Sequence, residues 1–200
     1  MDRSREVVFR IVFGLLWLVY FGVRLYFQGK VKGNRDYVRV NERQESLFFR
    51  LFALAYLLLP LYFLTPWVDF AHLPFPLWLR GVGAIVTCVG IGLFGWSHYV
   101  LGMNWTAVLA LAKEQTLITN GPYRWVRHPM YSAFFCIGFG FLFLSANWGI
   151  GIIYLGALTA MYAVRVKREE EMMIDRFGTT YRQYMQKTGR ILPRIWSKGK

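Results

Sequence analysis

Residues 130–164 read "MYSAFFCIGFGFLFLSANWGIGIIYLGALTAMYAV", and the way this run is divided decides the fold. As one helix it would be about 52 Å long at ~1.5 Å per residue. A bilayer core is only about 30 Å thick, so a single crossing would need an extreme tilt. The polar and small residues Ser145, Ala146 and Asn147 stand at its midpoint. A reversal there gives two shorter helices, roughly 131–144 and 148–164, packed as a hairpin.

Three further apolar runs lie upstream, at about 7–27, 47–64 and 82–101. The second contains Pro60, which removes one helical hydrogen bond and predicts a kink. The third is rich in glycine, which suits close helix packing. The same reading applies to the glycine pairs 90/92, 138/140 and 149/151. The segment between the second and third runs, "TPWVDFAHLPFP" (65–76), is aromatic and proline-rich with no Lys or Arg, as an interfacial loop would be.

Charge chooses between four and five spans. The 200 residues are 56% hydrophobic yet carry a formal net charge of +13, so basic residues must be segregated from apolar ones. With five spans, the basic loop before residue 47, the segment 113–127 and the tail after 164 share one side, the cytoplasmic one by the positive-inside rule. With four, the tail would lie opposite the other basic loops. The expectation is an all-α integral membrane protein with about five transmembrane helices, a C-terminal helical hairpin and cytoplasmic interfacial helices. The N-terminus is expected outside the cytoplasm, the active site and C-terminus within it. Residues 1–81 read as an N-terminal two-span region, and 82–200 as a catalytic core with a cofactor loop at 102–131 and C-terminal helices at 165–195. Within the tail, Gly178 and Gly189 read as helix stops. Tyr181, Tyr184, Met185 and Thr188 between them recur at helical spacing, which predicts an amphipathic helix on the membrane surface.

Long apolar runs exclude a nucleic-acid binder despite the basic balance. Cys88 and Cys136 have neither metal nor redox spacing and read as small buried side chains. No metal-ligand cluster is present.

Two clusters carry chemistry. Arg127, His128, Pro129 and Tyr131 stand where a basic loop enters the fourth span, with Pro129 suited to the first helical turn. Arg165, Glu169 and Glu170 stand at the end of the fifth, Arg165 and Glu169 sharing a helical face. Glu171 reads as solvated. A hairpin brings both clusters to one depth at the membrane interface, where ionisable groups indicate function.

The pattern "NGPYRWVRHPMYSA" (120–133) followed by "RVKREEEMMIDRFGTTYRQYMQKTGRILP" (165–193) resembles the isoprenylcysteine carboxyl methyltransferase family and its phospholipid methyltransferase relatives. It supplies R-H-P-x-Y at 127–131, R-x-x-x-E-E from Arg165, F-G-x-x-Y-x-x-Y from Phe177 and a terminal R-x-x-P from Arg190. One departure is Ala133, where the family often has glycine. The resemblance implies S-adenosyl-L-methionine as cofactor, held by Gln115, Thr116, Leu117, Ile118, Tyr123, His128, Pro129, Met130, Tyr131, Glu169 and Glu170. It also implies catalytic roles for Arg165 and Arg127, with Arg165 holding the substrate carboxylate. The expected partners are a lipophilic or lipidated acceptor, most simply a prenylcysteine-type carboxylate, and membrane lipids. Phospholipid N-methylation, an NADPH-dependent reductase resembling sterol reductases, and a lipid-binding scaffold are the alternatives.

Overall fold

A computed structural model describes residues 3–31, 37–39, 42–104, 110–112 and 116–194. Helix α1 (Arg3–Val31) is followed by α2 (Glu42–Leu58), and α3 (Pro60–Leu64) continues it past a break. The break falls at Leu59–Pro60, where proline cannot donate to the helical ladder. Helix α4 (Leu77–Leu101), α5 (Pro129–Ser145) and α6 (Trp148–Lys187) complete the bundle. Among the described residues, three helices are long and apolar enough to cross a membrane, and Arg50–Leu64 and Pro129–Ser145 are shorter apolar helices. These five segments correspond to the five runs expected. Val8, Ile11, Leu15 and Leu18 on α1, and Ile85 and Val89 on α4, point outward. Such a surface suits lipid, since all backbone groups beneath it are paired within helices. A small ribbon adds to the helices: strands β1 (Tyr37–Arg39) and β2 (Ala110–Ala112) pair antiparallel.

The hairpin forms at the expected place. Ala146 adopts a left-handed conformation with φ 48°, and Asn147 caps α6 by accepting the Ile150 amide at 3.1 Å. Capping of this kind stabilises a helix start because the first amides have no intrahelical partner. The turn is pinned to the 65–76 loop through Leu73 N to Ala146 O (2.6 Å) and Asn147 Nδ2 to Val68 O (2.7 Å).

Glycine sets the α4–α5 contact. A side chain at Gly140 would meet the Thr87 backbone nitrogen at 2.7 Å, and one at Gly90 would meet the Ile137 nitrogen at 2.9 Å. Gly138 and Gly151 face Tyr154 and Leu142 in the α5–α6 contact, whereas Gly92 faces open space. One apolar core joins all the long helices: Phe13 and Tyr20, Phe52 and Tyr56, Phe94, Phe141 and Tyr154. Cys88 is exposed on α4 and Cys136 is half-buried, so the expectation of two buried thiols is corrected. Cys88 lies on the side of α4 turned away from the bundle.

The end of the bundle that holds the 65–76 loop conceals a charge cluster that the apolar runs did not announce. Arg80 is fully buried. It donates to Leu144 O (2.9 Å), Glu6 Oε2 (2.6 Å) and the Tyr62 hydroxyl (3.1 Å), with its guanidinium 3.9 Å from the Phe9 ring centroid. Arg10 pairs with Asp69 and Glu6. Arginines inside a bundle are tolerated when paired and hydrogen-bonded in this way.

Helix α6 runs on well beyond the apolar segment. It carries residues 165–177 out as a straight extension and breaks only at Gly178 (φ 55°). A single helix therefore joins the membrane span to the polar cluster, and its break at Gly178 falls where a helix stop was expected. After the break, the helix turns its apolar side to the protein: Tyr181 and Tyr184 are buried, and the Tyr184 hydroxyl donates to Tyr123 O at 2.5 Å. The expected membrane-surface helix is in this respect a docked helix.

Candidate active site

The site forms where the start of α5 meets the polar extension of α6, beyond the apolar parts of both. Pro129 opens α5, and His128 precedes it as the non-helical N-cap residue. Tyr131, one turn in, is buried and donates its hydroxyl to Glu169 Oε1 at 3.1 Å. From α6, Arg165 Nε and Nη2 both lie 3.1 Å from the same oxygen. His128 bridges the two acids, with Nδ1 3.4 Å from Glu169 Oε2 and Nε2 3.4 Å from Glu170 Oε1. The second approach is a charge contact and not a formed hydrogen bond, since Nε2 has no bonded partner among the described residues.

Adjacent glutamates thus sit in different surroundings. Glu170 is 5% exposed and is taken up by two arginines: Arg127 Nε at 3.0 Å, and Arg190 through Nε at 3.1 Å and Nη2 at 2.5 Å. Glu169 is 22% exposed and opens toward the surface. The electrostatics follow from these contacts. Burial alone would raise the Glu169 carboxyl, but Arg165, His128 and Tyr131 outweigh it and bring it down to about 2. Burial likewise opposes ionisation of Glu170, and His128, Arg190 and Arg127 overcome it, holding it far below the ordinary range. Burial would depress His128, but Glu169 and Glu170 reverse the sign and raise it. All three groups favour their charged forms, as expected when opposite charges lie within hydrogen-bond range.

Tyr123 is buried in the 3₁₀ turn Gly121–Arg124, and burial pushes its phenol well up. Leu117 and Ile118 are half-buried and Met130 is half-buried at the start of α5. Thr116 is exposed and tied to Asn104, its amide reaching Asn104 Oδ1 at 3.1 Å. Gln115 lies outside the described residues. Glu171 is exposed.

Two of the expected site residues are joined in a clamp. Arg127, expected as catalytic, directs Nη1 to the carbonyls of Met185 (3.1 Å) and Thr188 (2.5 Å) while Nε holds Glu170. Glu170, expected as a cofactor contact, is the acid of that same clamp. Their polar atoms are turned to the C-terminal segment, with Glu170 Oε1 also 3.4 Å from His128 Nε2. The segment itself was missed as part of the site, although the terminal R-x-x-P pattern was a signal for it.

Residues 83–175 match the model of the isoprenylcysteine carboxyl methyltransferase family. Over that segment the chain is similar to this family. Protein-S-isoprenylcysteine O-methyltransferase of Mus musculus is 28% identical over 141 residues, which cover 66% of this chain and 50% of the mouse protein. The A form from Arabidopsis thaliana is 25% identical over 181 residues, covering 90% of each chain. The chain thus spans about half the length of the mammalian relatives it matches. A solved structure of a eukaryotic intramembrane Ras methyltransferase of this family aligns with a TM-score of 0.50 at 23% identity, over 78% of this chain and 55% of that one. That likeness concerns the fold: this chain is a multi-pass integral membrane protein of the same architecture.

Proposed function

We propose that the protein is an S-adenosyl-L-methionine-dependent methyltransferase that esterifies the carboxylate of a prenylcysteine-type acceptor. The observation that supports this most directly is the convergence of Arg165, Glu169, His128 and Tyr131 at one end of the α5–α6 hairpin. The donor set fits the cofactor. Glu169 is ionised and accessible, as an amino-acid ammonium or a ribose requires, and tyrosine faces beside it favour a cation. Bound there, the cofactor would supply a methyl group on a sulfonium, a leaving group that needs no metal to activate it. The chain's own contribution is alignment and exclusion of water, the main sources of rate when the nucleophile is a weak carboxylate. Arg165, fixed beside Glu169, orients an incoming carboxylate through its planar fork. Placement at the membrane interface lets a polar cofactor arrive from water while a lipid tail stays in the bilayer. The positive-inside rule supports a cytoplasmic position for this end, because the basic loops gather on its side.

Calorimetric titration of S-adenosylhomocysteine into detergent-purified protein, followed by transfer of labelled methyl to N-acetyl-S-farnesylcysteine, tests the reading. Saturable binding and a base-labile methyl ester are expected. Folded protein that binds neither compound would remove the methyltransferase. Binding with transfer only to a phosphoethanolamine lipid would move the acceptor to an amine.

A further inference from the structure

The loop that carries His128 has little helical structure of its own, and its backbone order comes from residues far along the chain. Arg127 N donates to Gly189 O at 2.8 Å, His128 N to Arg190 O at 2.9 Å, and Gly189 N to Trp125 O at 3.1 Å. This is a short parallel β-bridge between Val126 and Gly189. Beyond it, Ser132 Oγ donates to Ile191 O at 2.6 Å. Before it, buried Thr188 closes the last turn of α6 by donating its hydroxyl to Tyr184 O at 2.8 Å. Glycine is required at 189, because a side chain there would collide with the Leu192 carbonyl.

The side chains repeat the connection. Arg190 forks onto both oxygens of Glu170 from this segment, and Arg127 holds the same carboxylate from the loop. Glu170 in turn lies 3.4 Å from His128, which contacts Glu169. A continuous path of paired charges therefore runs from Arg190 to the half-buried Glu169 carboxylate.

We propose that residues 188–191 form a strap that completes the cofactor site, with Arg190 as a positioning residue that acts through Glu170. The inference rests on the methyltransferase reading of the site. Without the strap, the His128 amide and the Arg127 guanidinium lose partners that no membrane helix supplies. The buried Glu170 would then retain one arginine where it now has two, and His128 would be free to leave Glu169.

The experiment uses the full chain in detergent with S-adenosylhomocysteine as probe. Arg190→Gln is expected to weaken binding about tenfold, within the range for coupled neighbours, and Arg190→Lys to recover part of it. Combining Arg190→Gln with Glu170→Gln should cost no more than the worse single change, because both remove one contact. Hydrogen exchange at the amides of residues 127 and 128 should quicken in Arg190→Gln, while exchange in α4 stays as in wild type. Wild-type affinity in Arg190→Gln, or fully additive losses in the double variant, would overturn the strap alone. Wild-type protein that fails to bind would overturn the methyltransferase reading and the strap's role in it together.

Discussion

Glu169→Gln isolates what charge contributes to the site. The substitution preserves volume and leaves a carbonyl oxygen to accept from Tyr131 and Arg165, so the cluster keeps its shape. What it removes is the anion held down at about 2 by Arg165, His128 and Tyr131. A hydrogen bond to a charged group is worth about 1.5–3 kcal/mol, against about 1 for a neutral pair. Losing that difference, about 0.5–2 kcal/mol, at the cofactor's ammonium or ribose should weaken S-adenosylhomocysteine binding by about 2- to 30-fold. Calorimetry on variant and wild type, at matched pH and with melting temperatures recorded, gives the comparison. An unchanged dissociation constant in a variant that melts like wild type would mean that Glu169 serves only to hold Arg165. The assignment of the opening beside it as the cofactor site would then fail.

Three other outcomes follow from the packing and electrostatics. His128 has a raised pKa when folded, so its stabilising contacts are complete below the ordinary value of about 6.5 and are lost as pH rises through the folded value. The contribution of Glu169 runs the other way: it is present above about 4.5 and lost as pH falls toward about 2. Melting temperature should therefore fall above about pH 6.5 in wild type and fall less in His128→Asn, and identical slopes would contradict the bridging role. Arg80→Met removes the partner of Glu6 and of the Leu144 carbonyl and should cost about 3 kcal/mol, the low end for breaking a buried pair; a melting temperature within a degree of wild type would count against it. Gly140→Val would push a side chain into the Thr87 backbone and should destabilise by about 1–3 kcal/mol through overpacking, again read by thermal melting, with no change expected if α4 and α5 are held apart in solution.

Much of the architecture could be read in the sequence because the bilayer imposes simple rules. Apolar length, the polar break at Ser145–Asn147 and the placement of Lys and Arg fixed five apolar segments and a hairpin, since each follows from local composition. Pro60 marked a helix break for an equally local reason. The two charged clusters could be brought together on paper, because a hairpin returns its ends to the same depth.

What tertiary structure decided was which partner each charge takes. Glu169 and Glu170 are neighbours of one residue type, and no local rule says that one opens to the surface while Arg127 and Arg190 consume the other. Arg190 lies 20 residues from Glu170 along the chain, and only the break at Gly178 and the turn at Gly189 return it. Arg80 stands in the first turn of α4, and it is buried because Glu6 and Tyr62 arrive from other helices to pair with it. Hydrophobicity acts on each segment separately and leaves its mark in the sequence. Pairing depends on distance between segments, so it exists only once the chain is folded.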